Sequence, residues 1–338
     1  MIKRRKMPKR VTIKTIAQDL GISHMTVSRA LSNSTKVREA TRQVILRRAD
    51  ELGYVKSAAA AAMRGDRTTT VGLLLPNLTN EFYARFANTL ATCLENADLQ
   101  LIIHLTNDEP PKERRALLKL KEIQARGVVL VPTTGVGGLE GELFQGMQVI
   151  QLIRTAQMRV PSGAMLVNDR AAIIEAVHRL AAHRHKRIAY IGGSTTLSSG
   201  AARLNAFKAG LEAVGLNPAK DLLIAGEPSF EMGYRAVQTL VEQGGATALV
   251  CGGIELSNGA LNGCLEKGIR IPEDLVFIGY GDPSYYQWIG GGISAIRLPV
   301  DDLAQQISSF IGRFGPEKEC QQNQLVVQAE LIFRQTRL

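Results

Sequence analysis

The chain has 338 residues, enough for two or more domains, and its 45% apolar content supplies a sizeable core and excludes a disordered polypeptide. The formal charge of +10 is uneven: residues 1–67 hold 16 Lys and Arg against 5 Asp and Glu, whereas the remainder holds 25 against 26. A short basic segment beside a neutral remainder points to a polyanionic partner for the N-terminus. Cys93, Cys251, Cys264 and Cys320 lie far apart with no C-x-x-C pair, so neither a zinc site nor a disulfide framework is signalled. The basic start (Lys3, Arg4, Arg5, Lys6) lacks the apolar run of a signal peptide. No run of about eighteen apolar residues occurs. The expectation is a soluble, cytoplasmic protein with no membrane partner.

In chain order, Ile13, Ala17 and Leu20 form one apolar helix face that stops at Gly21. Ser23 is placed to cap a second helix, with Val27, Ala30 and Leu31 facing inward. A third helix carries Val44, Ile45, Ala49 and Leu52 and ends at Gly53, a residue suited to a left-handed C-cap. Five alanines, Ala58–Ala62, then read either as a solvated linker or as a short helix that forms only when docked.

From Thr70 onward short apolar runs alternate with helical stretches. Strands are expected at Val71–Leu75, Leu101–Leu105, Val128–Val131, Val149–Ile153, Arg187–Ile191, Leu222–Ala225, Ala248–Cys251 and Val276–Gly279. Helices are expected at Phe82–Asn96, Lys112–Arg126, Ala171–Ala182, Arg203–Val214, Gly233–Gln243 and Asn258–Lys267. This alternation implies parallel sheets covered on both faces, and its length implies two α/β lobes with a cleft.

A helix, a tight turn at Gly21–Ser23 and a second helix on a basic segment make a helix-turn-helix, whose second helix enters the major groove of DNA. His24, Met25, Ser28 and Arg29 point outward there, and Arg29 can donate a bidentate pair to guanine. Lys36, Arg38, Arg42 and the amides at helix starts suit phosphates.

The run V-T-I-K-T-I-A-Q-D-L-G-I-S-H-M-T-V-S-R-A-L-S (Val11–Ser32), with Thr41-Arg42 and Glu51–Val55, closely resembles the lactose/galactose repressor (LacI/GalR) family. Family-like segments continue at Val71–Phe82, His185–Gly193, Gly268–Tyr280 and Leu298-Pro299, so the resemblance covers nearly the whole chain. It implies an all-α helix-turn-helix domain (1–55), a hinge helix (56–68) and a two-lobed, periplasmic-binding-protein-like α/β core (69–338). One lobe would hold about 69–183 and 297–323, the other about 184–296 and 324–338. The resemblance places His24 and Met25 at specificity positions and Arg29 at a commonly shared arginine. The implied DNA-binding set also takes in Thr12, Ile13, Lys14, Ser23, Thr26 and Ser28, then Lys36, Arg38, Tyr54 and Ser57. Met63 falls where the family usually has a leucine wedged into the minor groove; methionine is flexible but apolar enough to intercalate. Lys56 replaces the usual proline before the hinge.

Ligands of such lobes lie beyond the carboxyl ends of the strands. Asn80, Phe82 and Tyr83 follow the first strand, Arg154 follows Val149–Ile153, and Asn168 and Asp169 precede a helix. Arg203 opens a helix and matches the family arginine that commonly grips the ligand; Asp282 and the lone tryptophan, Trp288, complete the effector set. Where many relatives read N-D this chain has Gly253-Ile254, and where many read Y-D-D it has Tyr280-Gly281-Asp282, similar to gluconate-type members. Loss of two carboxylates with Arg154 and Arg203 retained favours an anion. The expected effector is a sugar acid such as gluconate or a ketogluconate; the alternatives are a neutral sugar or a purine.

An enzyme on a doubly wound fold is the rival class. Neither a dinucleotide fingerprint nor a P-loop is present; Thr133–Gly138 is glycine-rich but lacks the lysine, and His178, His183 and His185 sit in a basic stretch that reads as solvated surface. No catalytic residue, metal or cofactor is expected. The reading is a ligand-responsive transcription regulator, a repressor, binding a pseudo-palindromic double-stranded operator as a homodimer. Leu325–Leu338 alternates like a strand and shows no leucine heptads of a tetramerisation tail.

Overall fold

Among the described residues, capping hydroxyls and helix-ending glycines divide the start of the chain into three helices. The structure, a computed structural model, describes residues 11–32, 34–55, 68–133, 141–243, 245–313 and 324–334, and separates into two units, 1–67 and 68–338. Lys56, Ser57, the alanine run, Met63 and most of the glycine-rich loop after Thr133 lie outside the described residues.

In the first unit α1 (Ile13–Leu20) begins with a capping box between Thr12 and Thr15 and ends at Gly21, φ +64°. Ser23 caps α2 (His24–Leu31) by accepting the Thr26 N–H at 3.1 Å. α3 (Glu39–Glu51) is followed by Gly53 at φ +65°. Ile16, Ala17, Val27, Ala30, Val37, Ile45 and Ala49 form the core. Ile16 belongs to it although the periodicity pointed to its neighbours, and Val44 is exposed while Ile45 and Ala49 carry the inner face of α3. An ion pair from Arg48 to Asp19 fastens α3 to α1.

The second unit holds two six-stranded sheets. The first, in the order β11-β5-β4-β3-β1-β2, joins β1 (Thr70–Leu75), β2 (Gln100–Leu105), β3 (Gly127–Leu130), β4 (Gln148–Leu152), β5 (Gly163–Asn168) and β11 (Gln324–Gln328), all parallel. The second, in the order β12-β10-β9-β8-β6-β7, joins β6 (Ile188–Gly193), β7 (Leu223–Gly226), β8 (Ala248–Gly252), β9 (Val276–Tyr280) and β10 (Ser294–Arg297), with β12 (Glu330–Ile332) antiparallel at its edge. The helices are α4 (Glu81–Glu95), α5 (Pro110–Glu122), α6 (Arg170–Ala182), α7 (Ser198–Ala213), α8 (Phe230–Gln243), α9 (Ile254–Glu266) and α10 (Val300–Arg313). They cover both faces: Val71, Leu73 and Leu75 of β1 join the core of α4 and α10, while Leu74 packs with Ala116, Leu117 and Leu120 of α5. Each sheet reverses its strand order once, between β1 and β3 and between β6 and β8, and a crevice opens beyond the carboxyl ends at such reversals.

The chain passes between the sheets at Asn168-Asp169, at Leu298-Pro299 and at Ala329, whose N–H donates to the Asn168 carbonyl at 3.1 Å. The lobe boundaries read from the sequence therefore move. The helix before His183 belongs with the second sheet, since α6 packs on α7 where Gly210 admits Val177. Residues 324–328 belong with the first sheet, because only one of the two C-terminal strands pairs with β10. An apolar helix face shows that it is buried, not which sheet buries it.

Candidate functional site

On the first unit, His24, Met25 and Arg29 are exposed along α2, with Ser28 and Thr26 partly covered. Thr12, Lys14, Ser23, Lys36 and Arg38 are exposed nearby in sequence, while Ile13 and Tyr54 lean on the core. Val27 and Ala30 bury the opposite face, so α2 presents polar and basic side chains outward from a fixed scaffold. Arg42 is committed elsewhere: it donates to the Ser34 carbonyl at 2.7 Å and to Glu39 at 2.8 Å, bracing the turn before α3. Ser57 and Met63 lie outside the described residues.

In the second unit, one cleft is lined by loops at both reversals: Pro76, Asn77 and Asn80 after β1, Gly193 after β6, and Gly252–Glu255 after β8. Its cavity volume is about 110 Å³. Asn80, Phe82, Tyr83, Arg154 and Arg203 all line it. Asn80 caps α4 by accepting the Phe82 N–H at 3.0 Å, which aims Phe82 and Tyr83, packed edge to face at 5.4 Å, across the opening. Burial pushes the Tyr83 phenol up to about 12.

Arg154 follows β4 through Ile153 in the left-handed region, φ +66°. Its Nε donates to the Pro132 carbonyl at 2.6 Å and its Nη2 pairs with Asp108. Behind them Glu113, fully buried on α5, accepts the Thr133 N–H at 2.9 Å and leaves Oε1 unpartnered. Burial raises its carboxyl above the ordinary range.

Arg203 lies in the second turn of α7, which begins at Ser198, not at the arginine as the sequence suggested. Its Nε donates to Asp169 at 2.6 Å, its Nη1 to the Gly252 carbonyl at 3.1 Å, and its guanidinium stacks on the Tyr280 ring at 4.3 Å. Tyr280 donates its own O–H to Asp169 at 2.5 Å. Burial opposes the Arg203 charge, but Tyr280 and Asp169 outweigh it and hold the guanidinium protonated. Asp169 thus sits behind Arg203 instead of lining the cleft.

Three other expected effector residues are not brought to the cleft. The Asn168 side chain accepts from the Arg170 N–H at 3.3 Å at a crossover between sheets. Asp282 forms a buried two-bond pair with Arg334, at 2.5 and 2.9 Å, pinning the end of β12 and facing a neighbouring cavity. Trp288 is 78% exposed. Asp108, Glu255 and Tyr280, which do line the cleft, were not singled out as effector residues. Burial also raises the Glu255 carboxyl. The arginines are therefore not unopposed cations: Asp108 and Asp169 each neutralise one of them.

Among the described residues no group of three His, Cys, Asp or Glu could hold a metal, and no helix is long and apolar enough to cross a membrane. The sequence model of bacterial regulatory proteins, lacI family, matches residues 12–57, and that of the periplasmic binding protein-like domain matches residues 177–337. The HTH-type transcriptional regulator DegA of Bacillus subtilis (strain 168) is 24% identical over 96% of this chain and 97% of its own. The crystal structure of the lac repressor dimer bound to operator and the anti-inducer ONPF matches with a TM-score of 0.79 at 17% identity, covering 98% of this chain and 100% of that one. The transcriptional regulator CelR–cellobiose complex matches at 0.68 and 22%, covering 97% and 100%. Both likenesses are of fold.

Proposed function

This chain belongs to the lacI family of bacterial regulatory proteins, and from that premise we propose that it is a DNA-binding transcription regulator, a repressor, whose cleft takes a sugar acid of the gluconate or ketogluconate type. The observation that carries the effector reading is the convergence of Arg154 and Arg203, from the two sheets, on one cleft. Arg154 commits Nε and Nη2, and Arg203 commits Nε and Nη1. One amino group of each has no protein acceptor among the described residues, and a carboxylate is the ligand group that best uses such donors. A ligand held from both sheets binds one arrangement of the lobes better than another, and that difference is what couples it to DNA.

The DNA reading assigns base contacts to His24, Met25 and Arg29 on α2, and phosphate contacts to Lys36 and Arg38. A segment at 56–68 would act as the hinge, with Met63 as the minor-groove wedge. A homodimer matches a pseudo-palindromic operator by its two-fold symmetry, and the lac repressor is bound to its operator as a dimer.

A second reading, a neutral sugar, is favoured by one specific feature. Asp108 and Asp169 neutralise the arginines, and Glu255 can accept a hydroxyl proton. Calorimetry of the full chain with gluconate, 2-dehydrogluconate and glucose decides between them. Acids binding at least tenfold tighter than glucose, about 1.4 kcal/mol, supports the first reading; glucose binding as tightly as its acid overturns it.

A further inference from the structure

Ile254 is the first residue of α9 and Gly281 follows β9, 27 positions later in the chain. A Cβ on Gly281 would lie 2.5 Å from Cγ1 and 2.8 Å from Cδ1 of Ile254, and the backbone there has φ +98°, a conformation that favours glycine. The two positions are therefore one packing unit: the isoleucine fills the volume that a side chain at 281 would need. Ile254 lines the effector cleft and also the neighbouring cavity, and Phe82 is the other residue common to both. Together they form an apolar wall between the two spaces. The Gly281 N–H cannot relieve it, since it donates to the Ile296 carbonyl at 2.8 Å.

Neither side chain of this wall carries a polar atom; the polar side chains of the cleft, among them Asn80, Tyr83, Arg154, Arg203 and Glu255, belong to other residues. A ligand hydroxyl pressed against the Phe82 and Ile254 side chains would lose water without gaining a hydrogen bond from either of them, which is costly, whereas a CH₂ or CH₃ there gains contact. We propose that Ile254, given room by Gly281, selects an effector with an unhydroxylated carbon at this wall. Resting on the sugar-acid reading above, the ligand is a deoxy sugar acid.

The test is calorimetry of the full chain with matched pairs that differ by one hydroxyl. The acid pair is 2-dehydro-D-gluconate and 2-dehydro-3-deoxy-D-gluconate; the neutral pairs are glucose with 2-deoxyglucose and galactose with its 6-deoxy form. In the series that binds, the deoxy member is expected to bind about tenfold or more tighter. Ile254→Thr places a hydroxyl on the wall and should bring that preference to within about threefold, while Ile254→Val, which has nearly the same shape and volume as threonine without the hydroxyl, should keep it. The ratio of two affinities measured on one variant is insensitive to partial loss of folded protein. Equal or tighter binding of every hydroxylated member, or an unchanged ratio in Ile254→Thr, overturns the proposal. If only neutral pairs bind, the sugar-acid reading falls while the deoxy preference among them still decides this one. Binding by none of these probes overturns both.

Discussion

Arg203 shows how one side chain is shaped before any ligand arrives. Asp169, the Gly252 carbonyl and the Tyr280 ring hold three sides of a guanidinium whose side chain is 11% exposed. Arg203→Lys keeps the charge but cannot bond Asp169 and the carbonyl while stacking on the ring. Effector affinity by calorimetry should fall at least tenfold; an unchanged value removes Arg203 from the site. Glu113 offers a second residue-scale measurement. Its carboxyl is raised chiefly by burial, with the Thr133 amide and Arg154 opposing and Asp108 adding to the rise. The folded state thus keeps the proton to higher pH than the unfolded chain, whose glutamate titrates near 4.5. The associated stability is complete below that value and fades as pH rises toward the folded one. Glu113→Gln stays neutral throughout. Its melting temperature should therefore drop less than that of the parent between about pH 5 and about pH 8; parallel curves for the two proteins would show that Glu113 is ionised when folded.

At the scale of elements, α2 tests the division between positioning and reading. Arg29 is exposed on the face opposite Val27 and Ala30, while Lys36 lies in the turn before α3. Arg29→Ala should weaken the preferred DNA by about 1–3 kcal/mol and relax base preference at one position per half-site. Lys36→Ala should weaken all sequences alike and lower the salt slope by about one. Sequence selection followed by anisotropy titrations separates them, and identical behaviour would make Arg29 a phosphate contact. The same elements show what was legible beforehand. The helix-turn-helix was readable because Gly21, Ser23 and the apolar spacing act locally. β1, β3 and β8 were readable as unbroken apolar runs buried on both faces. β5 was missed because Gly163–Asn168 carries a single β-branched residue, and α7 was started late because Ser198, Ser199 and Gly200 are weak helix formers. In the cleft, Asn80, Phe82 and Arg154 were found because they follow strands directly. Asp108 was not, since its meaning comes from Arg154, 46 residues away. Asp169 was found but given the wrong side of Arg203, because a spacing cannot say which way a carboxylate faces.

At the scale of the whole molecule, the charge division coincides with the structural one. The unit ending at Arg67 carries 16 basic against 5 acidic residues, and the unit beginning at Thr68 carries 25 against 26. Among the described residues the first closes its own small core of Ile16, Val27, Ile45 and their neighbours, and the hydrophobic clusters around the two sheets are built from residues of the second. Neither core needs the other to be complete, so removing the first should leave the second folded. A chain starting at Thr68 is expected to keep the effector affinity of the full protein by calorimetry, because every cleft residue lies beyond Pro76 or at it. Its DNA affinity should vanish, since a net charge near zero releases few counterions on binding and the reading helix is gone. The full chain should instead lose affinity steeply with salt, with a log–log slope of about −0.9 for each phosphate it neutralises. Anisotropy titrations of both chains at several salt concentrations measure this directly. Sequence-specific binding by the shortened chain would place the DNA-reading surface on the sheets and overturn the assignment of α2.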